Sequence, residues 1–599
     1  MLDVAFRDGR GRIAAWTPSE GKTLRSPALA WPETSFAPAP GWAEAVVTRT
    51  PKPGARRVEL IAGGTWFHPE NEGRPGLVVA APRPTPTTEV QVIEVGAELA
   101  VFHDAGGWAT DPKRLLPALV EARRRATPGR LLWAPGLGTP QDYALWAYLG
   151  VDLFDASPLL LAAARGTALT TDGPLPQADA ERLLGDGSPW DATRLVAHNA
   201  EAARLELERV RHAIEQGQLR ALVERRIYGK PASVELLRRF DREHSYLEAA
   251  APHQRTALLP CMTVESLAMP EVEAFRRRVR ESYRPPACAD VLVLLPCSQR
   301  KPYKQSRSHR AFQRTLDASG IRYRLHEVMV TSPLGLVPRE LEEAYPAKHY
   351  DVPVTGQWML DEAEIVRTQL KALLAHGTYR HVIAHVGEES CSAVRDLLPP
   401  DAASTCLKHP TSPEDLERLA SELHRLKAEL PPLAGADRRL DDLRALASFQ
   451  FGPAVAETFC DAGSPRGRWP FIRLDGPEGQ RGQTTPDRGI LSLTLHGAAA
   501  LVRHGVGRVT LKPFQFKSTS SLFAVGVSAC DPGVRPGDEV ALVQEGRLVG
   551  CGVAQMAAEE MTALKRGVAV SVRHVEAGPA RPTGPAPAPL SALAVKEAV

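Results

Sequence analysis

The run PCSQRKPYKQSRSH, Pro296–His309, gathers the densest set of reactive side chains in the sequence. It holds a thiol (Cys297), four cations (Arg300, Lys301, Lys304, Arg307), a phenol (Tyr303), the hydroxyl of Ser306 and an imidazole (His309). Neighbouring cations favour the thiolate form of a cysteine, and a thiolate is a competent nucleophile. His309 is spaced to fold back on the thiol and donate or accept a proton. Arg300, Lys301 and Arg307 suit a phosphate or carboxylate on a substrate. Taken one residue at a time, the same run also reads as a solvated basic loop with an inert cysteine. The density of the set favours chemistry.

A loop does chemistry only when rigid elements present it. DVLVLLP, Asp290 to Pro296, is a short continuous apolar run bounded by turn residues, the pattern of a buried parallel strand. RYRLHEVMVTSP (Arg322 to Pro333) and RHVIAHVG (Arg380 to Gly387) read as two more strands, with helical spacing near 308–318 and 360–375. Strands alternating with helices predict a parallel, doubly wound α/β sheet. Ligands bind outside the carboxyl ends of such strands, which is where Cys297 falls.

The rest of the chain sets the context. It has 599 residues with 43% apolar and 24% charged side chains, a folded composition that excludes a wholly disordered or collagen-like chain. Lys+Arg 73 against Asp+Glu 70 leaves +3, so any RNA-binding charge must be local. Only 14 of the cations are lysine; arginine is the better bidentate phosphate ligand. No run approaches ~20 apolar residues, and no apolar signal core opens the chain, so a cytoplasmic protein with no membrane contact is expected. The eight cysteines form no C-x-x-C pair, which fits free thiols in a reducing compartment and argues against a cysteine-built metal centre.

The expected class is α/β multidomain. Residues 1–250 alternate strands and helices; the clearest helix runs from Thr193 to Arg226, with Gly217 as a candidate break. Residues 251–285 read as a linker ending in Arg284-Pro285-Pro286. Residues 286–412 form the α/β module. Residues 413–505 read as a charged helical connector and a small mixed domain. Closely spaced strands with glycine turns make 506–576 a small β-barrel. Residues 577–599 read as a disordered Ala/Pro-rich tail.

Pro296, Cys297, Lys301, Pro302, Tyr303, Ser306 and His309 fill every position of a signature that resembles that of the archaeosine synthases, paralogues of the archaeal tRNA-guanine transglycosylases. Thr331 to Trp358, Phe449 to Gly452 and Leu491 to Ala498 resemble further blocks of that family. The last β segment resembles a PUA domain, and Leu149 to Gly173 with His198–Asn199 resembles the late part of a transglycosylase barrel. The resemblance implies a degenerate transglycosylase-like (β/α) barrel at the N-terminus. It implies a tRNA substrate carrying 7-cyano-7-deazaguanine (preQ0) at position 15 of the D-arm, whose nitrile becomes an amidine. Free lysine, or nitrogen from glutamine, is the implied donor, and a separate radical-SAM protein is the implied partner that cleaves a lysine adduct. No cofactor or metal is expected in this chain. In these terms Cys297 adds to the nitrile, Lys301 or Arg300 favours its thiolate, His309 protonates the nitrile nitrogen, and Tyr303 stacks on or hydrogen-bonds the base. Ser306 belongs to the same catalytic set, Arg300 and Arg307 to substrate binding. Glu388, with Glu389, is the candidate receptor for the donor amine. A purely structural Cys297 with direct amine attack remains the rival. At the level of the whole chain, the rivals are an active base-exchange transglycosylase and a non-catalytic tRNA-binding subunit.

The N-terminal region departs from an active transglycosylase. Where that family clusters three zinc-binding cysteines, Gly173 to Asp179 reads GPLPQAD, and His198 alone does not make a site. Asp155 is expected to be structural, and no nucleophile can be aligned among Asp104, Asp142 and Asp152. His381 and His385 sit in a β-branched run and read as strand residues; His103-Asp104 reads as a turn. In the last domain Arg508, Lys512, Lys517, Lys565 and Arg566, with Arg547 and Arg573, are candidates to track an RNA backbone.

Overall fold

The computed structural model describes residues 2–17, 23–32, 38–48, 58–62, 77–79, 92–95, 98–102, 105–108, 111–185, 188–353, 358–514 and 521–576. The expected tail, Lys517 and the His103-Asp104 pair lie outside them.

The central sheet explains the apolar run that precedes Cys297. Strand Val291–Pro296 lies between Leu325–Thr331 and His381–Ala384, parallel to both. The full order is Gly335–Pro338, Leu325–Thr331, Val291–Pro296, His381–Ala384, Ala403–Ser404, with only the first strand antiparallel. Every residue from Val291 to Leu295 is fully buried because both faces of the strand are covered. Val291, Val293 and Leu295 pack with Phe312 and Leu316 of helix Arg307–Ala318 and Leu419 and Leu423 of helix Pro413–Lys427. Leu292 and Leu294 pack with Phe275 and Val279 of helix Pro270–Glu281 and Val366 and Leu370 of helix Leu360–His376. Each such side chain contributes about 1.5–3 kcal/mol on burial. From the central strand the chain crosses first to one side and later returns on the other. The carboxyl end of Val291–Pro296 is therefore a topological switch point, where a crevice opens.

Two segments differ from their sequence reading for the same reason. Residues 251–285 are not a free linker: Val272, Phe275 and Val279 of helix Pro270–Glu281 are core residues of the module. The charged stretch after Pro413 is likewise a covering layer, because Leu419, Leu423 and Leu426 face the sheet while its charges face outward. Charge density hid one apolar stripe in each helix.

The N-terminal region is an eight-stranded sheet whose pairing order follows the chain cyclically. Strands Ala28–Pro32, Ala45–Thr48, Val58–Ala62 and Leu77–Val79 run in sequence on one side. Leu153–Asp155, Leu131–Trp133, Leu99–Phe102 and Val92–Val95 follow on the other. The first strand pairs in parallel with the last, and the two edges, 77–79 and 92–95, lie beside each other. That is the order of a (β/α) barrel, with Val92–Val95 antiparallel to its neighbour. Helices Pro112–Ala126 and Tyr143–Tyr148 cover its later strands. Helix Ala192–Glu215 ends before Gly217, whose φ of +65° stops it, and Leu219–Ile227 begins after it.

Helices Gly435–Phe451 and Pro453–Cys460 lead into a four-stranded antiparallel sheet, Ser464 to Leu493. The last domain is a six-stranded mixed sheet in which Arg508–Leu511 runs parallel to Glu539–Gln544. Its apolar residues Val509, Val540 and Leu542 share one buried cluster with Leu2, Val4 and Trp16 of the N-terminal hairpin and with Trp133 and Leu153 of the barrel.

Candidate active site

Cys297 follows the last residue of the central strand and lines a cavity of about 550 Å³ at the switch point. Pro296 and Val330 lie at the strand ends, Trp358 and Glu362 at the start of helix Leu360–His376, and Glu388 and Glu389 at the start of helix Glu388–Val394. Burial pushes the thiol up, while a hydrogen bond with Thr331 and the charge of Lys301 act the other way. Lys301 is half-buried, with Nζ 3.9 Å from the centre of the Tyr350 ring, and burial pushes its ammonium down. Both shifts favour the uncharged pair, so burial holds Cys297 as the thiol and Lys301 as the amine, a neutral base beside the proton it would take.

His309 does not play the part its spacing suggested. It is fully buried on the first turn of helix Arg307–Ala318, and both ring nitrogens are engaged. Nε2–H donates to Pro296 O at 3.0 Å, and Nδ1 accepts from Arg339 Nη2 at 2.9 Å. Burial, reinforced by Arg339, pushes the imidazole down to about 3. It is a neutral clamp on the backbone that carries Cys297. Arg339 is itself held by Glu327 at 2.6 and 2.9 Å and by Glu342 at 2.8 Å. Burial alone would raise Glu327, but Arg322 and Arg339 outweigh it and hold it at about 2.

Tyr303 is fully buried and cannot stack on a base. Its hydroxyl meets Tyr350 Oη at 2.6 Å, and its ring lies 5.4 Å from that of His309. Ser306 is the N-cap of helix Arg307–Ala318; its Oγ accepts from His309 N at 3.2 Å. Both residues support the loop from beneath. Arg300 and Arg307 are exposed on its outer side. Glu388 lines the cavity but pairs with Arg395 at 2.6 Å on an exposed rim.

The sequence reading missed Thr331, Arg339, Tyr350, Trp358 and Glu362. Four of these lie in the second family block, Thr331 to Trp358, which was the available signal. Glu362 has only its place at a helix start: Oε2 accepts from Met359 N at 2.8 Å, and Oε1 accepts from Ser332 Oγ.

Elsewhere the barrel's polar residues are structural. Asp152 is bound by Arg12 at 2.8 Å and Arg123 at 2.9 Å. Asp155 accepts from the backbone of Gly136 and Ser157, and Asp142 accepts from Ser233 Oγ at 3.1 Å. His198 packs on Trp190 and bonds Leu169 O at 3.1 Å. His385 is buried between Thr405 and Pro410 O, beyond strand His381–Ala384. Among the described residues no group of three or more His, Cys, Asp or Glu is placed to hold a metal. No described helix is long and apolar enough to cross a membrane. In the last domain Lys565 and Arg566 are exposed. Arg508 is tied to Asp531 at 3.2 Å, and Lys512 Nζ donates to Val525 O at 2.8 Å. Arg573 bridges to buried Glu539 at 2.6 Å, which makes it a structural cation.

Comparison with known proteins places the chain among relatives. Residues 272–423 match a domain of unknown function, DUF5591, and residues 515–575 match the PUA domain. The archaeosine synthase of Haloferax volcanii is 34% identical over 497 residues, 81% of this chain and 83% of its own. The archaeosine synthase subunit alpha of Methanosarcina acetivorans is 34% identical, covering 80% of each chain. The tRNA-guanine(15) transglycosylase of Methanothermobacter thermautotrophicus is 27% identical over 77% of this chain and 68% of its own. The DUF5591 match contains the Cys297 loop, the switch point and helices on both faces of the sheet. The chain belongs to the archaeosine synthase family of tRNA-modifying proteins.

Proposed function

We propose that this protein adds the side-chain amine of free lysine to the nitrile of preQ0 in tRNA, giving an amidine through a thioimidate on Cys297. The observation that carries this reading is a thiol at the switch-point end of the central strand, open to a cavity and next to a half-buried lysine.

Lys301 takes the proton of Cys297. The thiolate adds to the nitrile carbon: a C–S bond forms, one C–N π bond breaks, and Lys301 returns the proton to the nitrile nitrogen. The lysine amine then attacks the same carbon and passes a proton to Lys301. The C–S bond breaks, the sulfur leaves as thiolate, and Lys301 restores the thiol. The net change is addition of an N–H across the nitrile, with no oxidant or reductant. Trp358 supplies a flat apolar face for a base, and Glu362, Glu388 and Glu389 supply negative charge for a cationic donor. Arg300 and Arg307 lie outside the cavity, where tRNA phosphates would meet them. Lys565 and Arg566 offer a second contact on the PUA domain. A radical-SAM enzyme acting on the adduct is the downstream partner in this reading.

The test incubates the protein with preQ0-containing tRNA and labelled lysine, and in parallel with unmodified tRNA and labelled free preQ0. Label from lysine is expected. Label from preQ0 would establish base exchange, and no label in either arm would leave a tRNA-binding subunit. Cys297→Ser should abolish lysine incorporation; a variant with normal incorporation would sink the covalent route.

A further inference from the structure

Behind Cys297, on the side away from the cavity, three hydroxyls meet in a fully buried pocket. Thr331 Oγ1 lies 2.6 Å from Tyr350 Oη, and Tyr350 Oη lies 2.6 Å from Tyr303 Oη. Thr331 follows Val330, the register partner of Pro296, so its hydroxyl stands beside the Cys297 thiol. Thr331 and both tyrosines are at most 2% exposed, so no bulk water competes for these bonds. The three come from separate elements: Thr331 ends the strand next to that of Cys297, Tyr303 lies in the loop, and Tyr350 lies in the short strand Tyr350–Asp351. A hydroxyl has one proton and can accept as well as donate. Three in a row can therefore all point one way.

We propose that Tyr303, Tyr350 and Thr331 form a directional hydrogen-bond chain that ends on the Cys297 sulfur and stabilises its thiolate, making them positioning residues for the nucleophile. With the sulfur ionised, Tyr303 O–H donates to Tyr350, Tyr350 to Thr331, and Thr331 to the sulfur. Each bond polarises the next, and a donor aimed at the charged form favours that form. With the sulfur protonated, Thr331 turns its proton to Ser332 O, 3.2 Å away, and accepts from the thiol. The charged and titratable groups facing the sulfur are Lys301 on its own loop, Tyr303 and Tyr350 behind it, Glu362 across the cavity, and Glu388, Glu389 and His409 at the rim. Among these only the hydroxyl chain gives the sulfur a donor from the buried side. Lys301 sits over the face of the Tyr350 ring, so removing only the hydroxyl of Tyr350 leaves that contact in place.

This inference rests on the proposed nucleophilic role of Cys297, but its test needs neither tRNA nor donor. The full chain and its T331V, Y350F and Y303F variants are treated with iodoacetamide across a pH series, and alkylation of the Cys297 peptide is quantified by mass spectrometry. T331V should move the midpoint up by about one pH unit, which is about tenfold slower alkylation below the midpoint. Y350F should move it in the same direction by less, and Y303F by less again. T331S keeps the hydroxyl and should match the unsubstituted protein. Superimposable profiles for T331V and Y350F would overturn the chain, as would a shift in T331V alone, which would leave Thr331 acting by itself. If T331V does not fold, Y350F and Y303F carry the test, since each only removes an oxygen. A graded shift in a protein that fails to transfer lysine would keep the chain and reject the function. Lysine transfer without any shift would do the reverse.

Discussion

The imidazole of His309 shows how burial decides a role that spacing leaves open. Its pKa is about 6.5 in an unfolded chain and about 3 in the fold. Between those values the unfolded state binds the extra proton, so stability falls as pH drops from about 6.5 toward 3. The fall is about 1.4 kcal/mol per pH unit for one such group, or about 2 kcal/mol by pH 5. His385, also buried and also pushed down, adds to the same slope. His309→Gln should lower stability at every pH but flatten its pH dependence between pH 5 and 7, measured by urea unfolding. An unchanged slope would mean that His309 is protonated in the fold. The activity of the unsubstituted protein should show no inflection from His309 in that range, because a histidine held neutral has no proton to give.

At the scale of elements, the wall of the cavity opposite Thr331 hangs on one carboxylate. Asp415 lies in the first turn of helix Pro413–Lys427, outside the cavity. It accepts from Leu407 N at 3.2 Å and from Lys408 N and His409 N at 2.9 Å. Burial would raise its pKa, but those three donors hold it below the usual carboxylate range. They pin the segment that brings His409, Pro410 and Thr411 to the cavity. Asp415→Asn should cost about 1.5–3 kcal/mol, the range for hydrogen bonds to a charged group. Because Asp415 reaches the cavity only through the backbone of His409, the effect on the proposed transfer should be a higher KM for the amine donor with a smaller change in kcat. Steady-state kinetics separate the two; a loss confined to kcat would contradict a wall-setting role. The charged helix that carries Asp415 was legible as a helix from its spacing. Its work for the site was not, because one apolar stripe in a charged sequence does not say which sheet it covers.

For the molecule as a whole, the PUA domain is built into the protein and not appended to it. Val509, Val540 and Leu542 share their cluster with the N-terminal hairpin and barrel strands, and the rim is stitched by Arg7–Glu560 and Arg10–Glu559 ion pairs. Val540→Asp in the full chain places an unpaired carboxylate there, at a cost above about 3 kcal/mol. Tryptophan fluorescence, which includes Trp16 and Trp133 of the shared cluster, and circular dichroism should then melt together at a lower temperature. A fluorescence transition left in place would show that the barrel folds independently of the PUA domain. This coupling also fixes where the exposed Lys565 and Arg566 stand relative to the barrel.

The sequence by itself determined the local decisions. The run Val291 to Leu295 is apolar without alternation because both faces are covered, and that pattern alone announced a central parallel strand. It placed Cys297 at the carboxyl end, and the P-C…K-P-Y…S…H spacing identified the family. The doubly wound sheet and the PUA-like end were legible for the same reason: each is written in residues near one another. Tertiary structure alone decided which members of the motif reach the cavity. Cys297 does, and Lys301 stands half-buried beside it. Ser306 caps the helix that follows it, while Tyr303 and His309 turn inward to hold the loop because Tyr350 and Arg339 arrive from later elements to satisfy their polar atoms. Whether an imidazole is a catalyst or a clamp depends on what occupies its nitrogens, and for His309 these are Pro296 O at the other end of the motif and Arg339 from a later element, both brought to it only by the fold.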